Sequence, residues 1–544
     1  MKKMTTKDKK KAISSIGMTA IFAISVFAIL AFAGTASAAE VITVNTTGFT
    51  NSTGFHPCSP PIQCAINNAT AGDTINVAAG AYTENVNVDE SLTLQGASSA
   101  TVTVNTSNPA ISVFTVTANS VNISGFTVTG ATVGTTAGIF INAGVSLCNI
   151  HDNIATGNGD GIWLGAGSNH NTITSNNVSD NLWQGFEVYR SDDNIFTNNT
   201  ANSNPSYGFK IDSGSNNEFT NNIANSNGKW GFYVVIGDGG GCNDSTFTNN
   251  TANLNVQYGI RINGGSGTTL TGNTFDSNLV SGIRLKETMT TLTLENNSVT
   301  NSPIGIEITD SVADVSTWIV SHNNIEGNTD YGVFNDAVTG TLDAEHNWWG
   351  DASGPSHSPG LGDKVSDNVD YEPWLMAPWP STVTEETVTE TVDGDGTMTD
   401  TPTGGDVTIN ATGNHTITTA KYAENPGGTP TFQATGDYWD VHLDNATNVT
   451  NVTIKFCPAG PGDTIYYYDT TAGWKPCSDQ VYVDGCITVT ITDATEPSLD
   501  DLTGEEFGRG TPEQVPVLTP LGIIALIGIL GVVLAVETLK RKSK

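Results

Sequence analysis

Residues 185–211 read GFEVYRSDDNIFTNNTANSNPSYGFKI, and the phrase that opens the stretch closes it again as Gly208-Phe209-Lys210-Ile211. The phrase is a glycine, an apolar residue, any residue and an aliphatic one. Its glycines are Gly138, Gly161, Gly185, Gly208, Gly231, Gly259, Gly282, Gly305 and Gly332, at steps of 23, 24, 23, 23, 28, 23, 23 and 27 residues. A unit this short cannot bury an apolar face alone and must stack on its neighbours. Apolar positions alternate in Gly161-Ile162-Trp163-Leu164 and again in Asn171-Thr172-Ile173-Thr174 and Asn194-Ile195-Phe196-Thr197, and period-two alternation marks strands. Two or three short strands per repeat predict a parallel β-helix with one turn per unit. Stacked turns lie about 4.8 Å apart, close enough for equivalent side chains to form ladders. Asn176-Asn177, Asn198-Asn199, Asn221-Asn222, Asn249-Asn250, Asn296-Asn297 and Asn323-Asn324 are the candidates.

The alternation of Asp73-Thr74-Ile75-Asn76-Val77 and Ser91-Leu92-Thr93-Leu94 extends the coil toward the N-terminus. Ile62, Ala65, Ile66 and Ala69, behind Pro60-Pro61, have the spacing of a short amphipathic helix that would cover the first turn. Asn347-Trp348-Trp349-Gly350 and Tyr371-Glu372-Pro373-Trp374 place aromatics where the repeat stops. With Gly72-Asp73-Thr74-Ile75, Gly80-Ala81-Tyr82 and Leu92-Thr93-Leu94-Gln95-Gly96, these segments resemble the pectin-lyase-like right-handed β-helix proteins, and among them the NosD-like and carbohydrate-associated branch. The resemblance runs over residues 40 to 376 and implies a fold; that scaffold hosts lyases, hydrolases and inert binders alike.

Lys2, Lys3, Lys7 and Lys9 to Lys11 precede an apolar stretch from Ile16 to Ala33, with Ala36-Ser37-Ala38 as a cleavage site, so residues 1–38 read as a signal peptide. Twenty residues from Val517 are apolar and uncharged up to Val536, followed by Lys540, Arg541, Lys542 and Lys544. That is enough for one transmembrane helix with a cytoplasmic basic tail. Val515, Pro516 and Pro520 resemble the VPxxxP class of archaeal sorting signals, which implies an archaeosortase as processing partner; a permanent single-span tether is the alternative. Either places the chain on the extracellular face of the membrane. Between Ala39 and Pro520, 11 basic residues face 53 acidic ones, a net of −42, which excludes nucleic acid as a partner. Fifteen Asn-x-Ser/Thr sequons, among them Asn45, Asn122, Asn177, Asn445, Asn448 and Asn451, are compatible with glycosylation.

The division expected is a β-helix over 39–380, an acidic Thr-rich linker over 381–404, a small β-sandwich over 405–504, a second linker over 505–516 and the sorting segment over 517–544. The sandwich rests on alternating strands such as Val452-Thr453-Ile454-Lys455-Phe456. Seven cysteines suit an oxidising exterior. Cys58 and Cys64 flank the cap and are close enough in sequence to bridge; Cys457, Cys477 and Cys486 cluster in the sandwich.

The third residue of each glycine phrase should point outward. The resulting stripe contains Trp163, Glu187, Lys210, Tyr233, Arg261, Arg284 and Glu307, with Lys286 two residues beyond Arg284 on the same face. Such an aromatic and basic strip suits binding of a polysaccharide or glycoprotein. Mutual neutralisation of Glu187 with Lys210 and of Arg284 with Glu307, on a passive coat protein, is the competing reading. A lyase or hydrolase is the third. Glu187 and Glu307 lie five turns apart and cannot form a glycosidase pair, and no acid cluster on the stripe supplies a metal for a lyase. No cofactor is expected. Calcium suits the acidic surface, although no loop carries the full ligand spacing. Copper, implied by the NosD name, lacks a soft donor set: outside the signal the methionines are Met289, Met376 and Met398, far apart in sequence.

Overall fold

The structure is a computed structural model and describes residues 39–512 apart from 238–240, 288, 358 and 504–505. The signal peptide and the segment with Val515, Pro516, Pro520 and the apolar run lie outside the described residues. Within them no helix is long and apolar enough to cross a membrane.

One turn of the repeat shows how the sequence closes on itself. Ile195–Thr197 is a strand of a long sheet, Asn198 bends the chain, Thr200 bridges to Asn177 and Ile223 on a narrow face, and Ser203 bends it again. Tyr207–Asp212 then forms the strand carrying the glycine phrase. Repetition gives a three-sided coil of about twelve turns. The long sheet runs in parallel from Val41–Asn45 to Val369–Asp370 and the phrase-bearing sheet from Val86–Val88 to Tyr331–Asn335, while on the narrow face two short sheets are joined by single bridges from Ile154 to Thr274.

At the corners the chain enters the left-handed region: Ser175, Asn198, Asn221, Asn249 and Asn296 have φ between 54° and 59°. A bend of that kind breaks the sheet ladder and would leave buried amides without acceptors. The residue after each bend supplies one. Asn199 Oδ1 accepts the N–H of Asn176 at 3.0 Å, Asn222 Oδ1 that of Asn199 at 3.0 Å, and Asn250 Oδ1 that of Asn222 at 2.9 Å. Each Nδ2 in turn donates to the next Oδ1 and to a carbonyl of the turn before, as Asn222 does to Phe196 at 2.9 Å. The column continues through Asn273, Asn297 and Asn323 to Asn347. A second column, Asn158, Asn181, Asn204, Asn227, Asn255 and Asn278, serves the next corner and ends through Ser302 and Asn328 on Asp363. Only one member of each expected doublet is in the ladder: Asn176 and Asn323 are the first of theirs, Asn199, Asn222, Asn250 and Asn297 the second.

The recurring glycine has a steric cause. A Cβ on Gly208 would lie 2.7 Å from the carbonyl oxygen of Gly231 and 2.8 Å from the Ala224 Cβ, so the strand edge presses against the narrow face. Inside, Phe186, Phe209 and Phe232 stack at 4.5 and 4.8 Å, and Phe196, Phe219 and Phe247 stack at 4.8 Å beside them, edge-on to the first column. The helix Pro61–Asn68 closes the first turn with Ile62, Ala65 and Ile66 buried. Glu84 receives the helix's first free amides, from Ile62 and Gln63, at 3.1 and 2.9 Å. Cys58 and Cys64 are disulfide-bonded beside it.

Two expectations are corrected. The stretch 381–404 is not a linker: Thr384–Asp393 is a ten-residue strand paired antiparallel with Asn414–Tyr422, and Gly396–Met398 pairs with Val407–Ala411. Its threonines are β-branched and pair across the strands, Thr389 with Thr418 at 2.9 Å, so a polar sequence still favours an extended chain. Nor is 505–516 wholly a linker, since Glu506–Pro512 lies inside the six-stranded sheet between Phe432–Leu443 and Thr464–Asp469. Gly508 there faces the Trp474 and Tyr438 rings, and Arg509 pairs with Asp437 and Asp463. A five-stranded sheet packs against this one around Ile454, Trp439, Phe456 and Phe507. The second disulfide is Cys457–Cys486; Cys477 is buried and stands outside it. Trp348, Leu375 and Met376 at the end of the coil pack on Tyr422, Phe432, Tyr438, Tyr466 and Trp474 of the sandwich.

Replacing Asn222 by Ala removes an acceptor for two buried donors of Asn199 and should cost about 2–4 kcal/mol. Asn221→Ala, one residue earlier on the exposed bend, should cost about 1 kcal/mol. Urea unfolding midpoints of the two variants measure the difference, and equal losses would mean that the ladder contributes no more than the bend.

Candidate functional site

Strand register brings the stripe residues side by side. Phe140 neighbours Trp163, which neighbours Glu187, and the series continues through Lys210, Tyr233, Arg261, Arg284 and Glu307 to Phe334. Lys286 lies beside Asn263 at the end of its strand. Most of these residues are half-buried and engaged. Lys210 Nζ lies 2.8 Å from Glu187 and 3.6 Å from Asp212. Burial works against the Lys210 charge, but the carboxylates of Glu187 and Asp212 outweigh it and its pKa is raised. Arg284 lies 3.2 Å from Glu307 and donates to the Tyr258 hydroxyl. Arg261 donates to Asn263 at 2.8 Å, with its guanidinium 4.5 Å from the Trp230 ring centroid. Tyr233 is packed against Trp230 at 4.2 Å. The cations around Arg261 are thus held among rings and carboxylates of the sheet itself.

The hollow lies two turns nearer the N-terminus. A cleft of about 390 Å³ is lined by Gly134, Thr135, Asp160, Trp183, Gln184, Glu187, Ser206, Tyr207, Lys210 and Lys229. The slot just before the recurring glycine carries large rings in adjacent turns, Tyr207, Trp230 and Tyr258. At Gly161 and Gly185 the same slot carries Asp160 and Gln184. The ring column gives out there, and the cleft fills the space. Trp183 stands on its lip with 58% of its surface exposed. Lys229 Nζ lies 5.2 Å over the Tyr207 ring.

Asp160 is buried on the cleft wall and hydrogen-bonded to Glu187, whose other contacts are Lys210 and Gln184 Nε2 at 3.1 Å. Burial first, and then the Glu187 charge, push its carboxyl up to about 8, with Lys210 only partly offsetting them. A second negative charge beside the Glu187 carboxylate is disfavoured, and burial of Asp160 adds to that cost. Asp160, Trp183 and Gln184 did not figure among the expected stripe residues. The slot before the glycine holds rings only at Tyr207, Trp230, Tyr258 and Tyr331, with Ala137, Gln184, Ser281 and Ile304 at the other turns, so the single acid at Asp160 carried no distinctive signal.

A larger cavity, about 690 Å³, lies at the junction of coil and sandwich and includes Trp379, Pro380, Tyr422, Glu424 and Glu506. It is remote from the stripe and its Tyr422 hydroxyl is spent on Asp440 at 3.1 Å.

A sequence profile of the right handed beta helix region matches residues 206–348, and one of the periplasmic copper-binding protein NosD matches residues 66–241. Together they support a protein of the right-handed β-helix type. No curated protein matches the chain. Among solved structures, the mannuronan C-5 epimerase AlgE4 A-module of Azotobacter vinelandii is similar at 16% identity over 59% of this chain and 94% of that one, with a TM-score of 0.44. The GH87 alpha-1,3-glucanase catalytic unit of Streptomyces thermodiastaticus gives 14% identity over 63% and 70%, TM-score 0.38. The Dettilon tailspike protein gives 13% over 82% and 89%, TM-score 0.40. None of these likenesses bears on activity.

The copper implied by the NosD description does not fit the donors present. Among the described residues no three or more His, Cys, Asp or Glu group as a metal site. Met289, Met376 and Met398 are buried in the coil, the junction and the sandwich respectively.

Because folding raises the Asp160 pKa from 3.8 to about 8, its contribution to stability is complete below the lower value and is lost as pH climbs to the higher one. The parent should therefore lose stability relative to Asp160→Asn between about pH 4 and about pH 8, with no further divergence above. Urea midpoints across that range measure it; parallel profiles would mean that Asp160 ionises as an ordinary surface acid.

Proposed function

We propose that this is an exported β-helix protein that binds polysaccharide on its stripe face, with the chain of sugars seated in the cleft between Trp183 and Lys229. The observation that carries this reading is the exposed Trp183 indole beside a hollow edged by Tyr207, Gln184, Ser206 and Lys229. A large apolar ring left in water costs free energy unless it has a guest, and flat rings flanked by hydrogen-bonding groups suit pyranose faces. Lys210 is neutralised by Glu187 and Asp160 holds its proton, so Lys229 leaves the cleft mildly cationic on an acidic protein. This favours neutral chains or chains with sparse carboxylates over dense polyanions. The NosD match and the two disulfides are consistent with a location outside the cytoplasm. Retention at the cell surface through the segment from Val515 onward, by an archaeosortase or as a membrane span, belongs to the same proposal.

A second reading is cleavage of the bound chain, as hydrolase or lyase. It is favoured by one observation, the buried Asp160 carboxyl on the cleft wall, which burial and the Glu187 charge push up to about 8, a range that suits a general acid. A passive coat is the third outcome.

Retention of the purified protein on neutral and uronate-bearing polysaccharides separates them. Trp183→Ala should weaken retention about tenfold, the equivalent of about 1.4 kcal/mol, while Arg261→Ala with Arg284→Ala should change it little. Retention unaffected by Trp183→Ala removes the cleft from the binding surface. New reducing ends or unsaturated products that vanish in Asp160→Asn would turn the binder into an enzyme.

A further inference from the structure

Fifteen sequons are scattered through the chain, and the fold sorts them. Asn122 has its Oδ1 buried, and the Asn451 and Asn243 carboxamides accept hydrogen bonds within the chain, from Asn410 Nδ2 and the Ser266 amide. Asn414 and Asn448 of the sandwich are exposed with no side-chain partner among the described residues, but they stand singly, whereas Asn198, Asn249 and Asn296 stand in line on the coil. All three are exposed, all three sit on the left-handed bend between the long sheet and the narrow face, and their side-chain amides have no hydrogen-bond partner among the described residues. In each the middle residue of the sequon is the ladder asparagine, Asn199, Asn250 or Asn297, which is fixed and buried. The three therefore project from one edge of the coil. That edge is the meeting line of the two faces that do not carry the cleft, so it lies opposite the stripe.

Their spacing is also regular. Asn198 and Asn249 are two turns apart, as are Asn249 and Asn296. Of the bends between them, Asn221-Asn222-Ile223 lacks the hydroxyl residue of a sequon and Gly272-Asn273-Thr274 lacks the acceptor asparagine. Two turns separate neighbouring sites by about 9.6 Å, wide enough for adjacent saccharide stems, whereas one turn would crowd them.

We infer that Asn198, Asn249 and Asn296 are N-glycan acceptors forming a sugar-bearing ridge on the back of the coil, which leaves the stripe open. The donor class is an oligosaccharide activated on a lipid phosphate. Its C1–oxygen bond to phosphate breaks, a C1–Nδ2 bond forms, the amide loses one proton, and the lipid phosphate departs with the electron pair. The inference stands on the ridge alone and is independent of what the cleft binds.

Glycopeptide mass mapping of the chain exported from a cell with an N-glycosylation apparatus tests it. Saccharide mass is expected on all three residues and none on Asn122. Replacing all three by Gln should remove those three increments from the intact mass, and Thr200→Ala, Thr251→Ala and Ser298→Ala, which abolish the sequons while keeping asparagine on the left-handed bends, should remove them equally. The inference is overturned if the exported chain carries no glycan, or carries it at other sequons such as Asn45 or Asn445 while the ridge stays bare.

Discussion

The coil depends on a carboxamide that does two things at once. At every bend the backbone must abandon its sheet partners, and the amides left behind are enclosed by the turns above and below. An asparagine immediately after the bend accepts from one rung and donates to another, so no buried group is stranded. An unmet group costs more than a met one gains, which makes the ladder a filter on register rather than a large reserve of stability. A slip of one residue would put the amide outside and a bend residue inside. The glycine opposite supplies the matching steric limit, since no side chain fits between Gly208 and its neighbours.

Register enforced in this way explains the surface. Once each rung is locked to the next, the outward position of every phrase falls into line, and charge pairing between turns follows, Glu187 with Lys210 and Arg284 with Glu307. Arg261 and Arg284 are adjacent like charges that the sheet tolerates because Trp230 and Tyr258 offer ring faces to them and Glu307 neutralises one. The same regularity makes any departure conspicuous. Where the rings before the glycine give way to Asp160 and Gln184, the wall loses bulk and a hollow opens. The recess is thus an omission in a column of aromatics.

How much of this could be read beforehand follows from what repeats. The glycine interval, the alternation and the Asn doublets are periodic, and the coil, its outward stripe and its ladders were legible from them. The cap helix was legible because Ile62, Ala65 and Ile66 keep helical spacing after a proline pair. The sandwich was harder, because it has no period. Thr384–Asp393 has a polar composition that conceals a strand, and Glu506–Pro512 has two glycines and an arginine that conceal a strand flanked on both sides. Asp160 escaped notice for a further reason: its role arises from contact with Glu187 in the following turn, and a single acid in a turn-rich chain has no mark of its own. Cys477 was indistinguishable from its neighbours until the Cys457–Cys486 distance was fixed by the pairing of the sheets around it.

Because every rung interacts only with the rungs on either side, the length of this rod is a free parameter of the gene. A duplication or loss of one 23-residue unit changes its height by a single strand spacing and disturbs neither end. From the Lys210 rung to the Phe334 rung there are five such steps, roughly 24 Å, so the recess stands at a set elevation above the aromatic seam that joins rod to sandwich. The molecule is in that sense a ruler, in which the number of turns sets the distance between the recess and the seam.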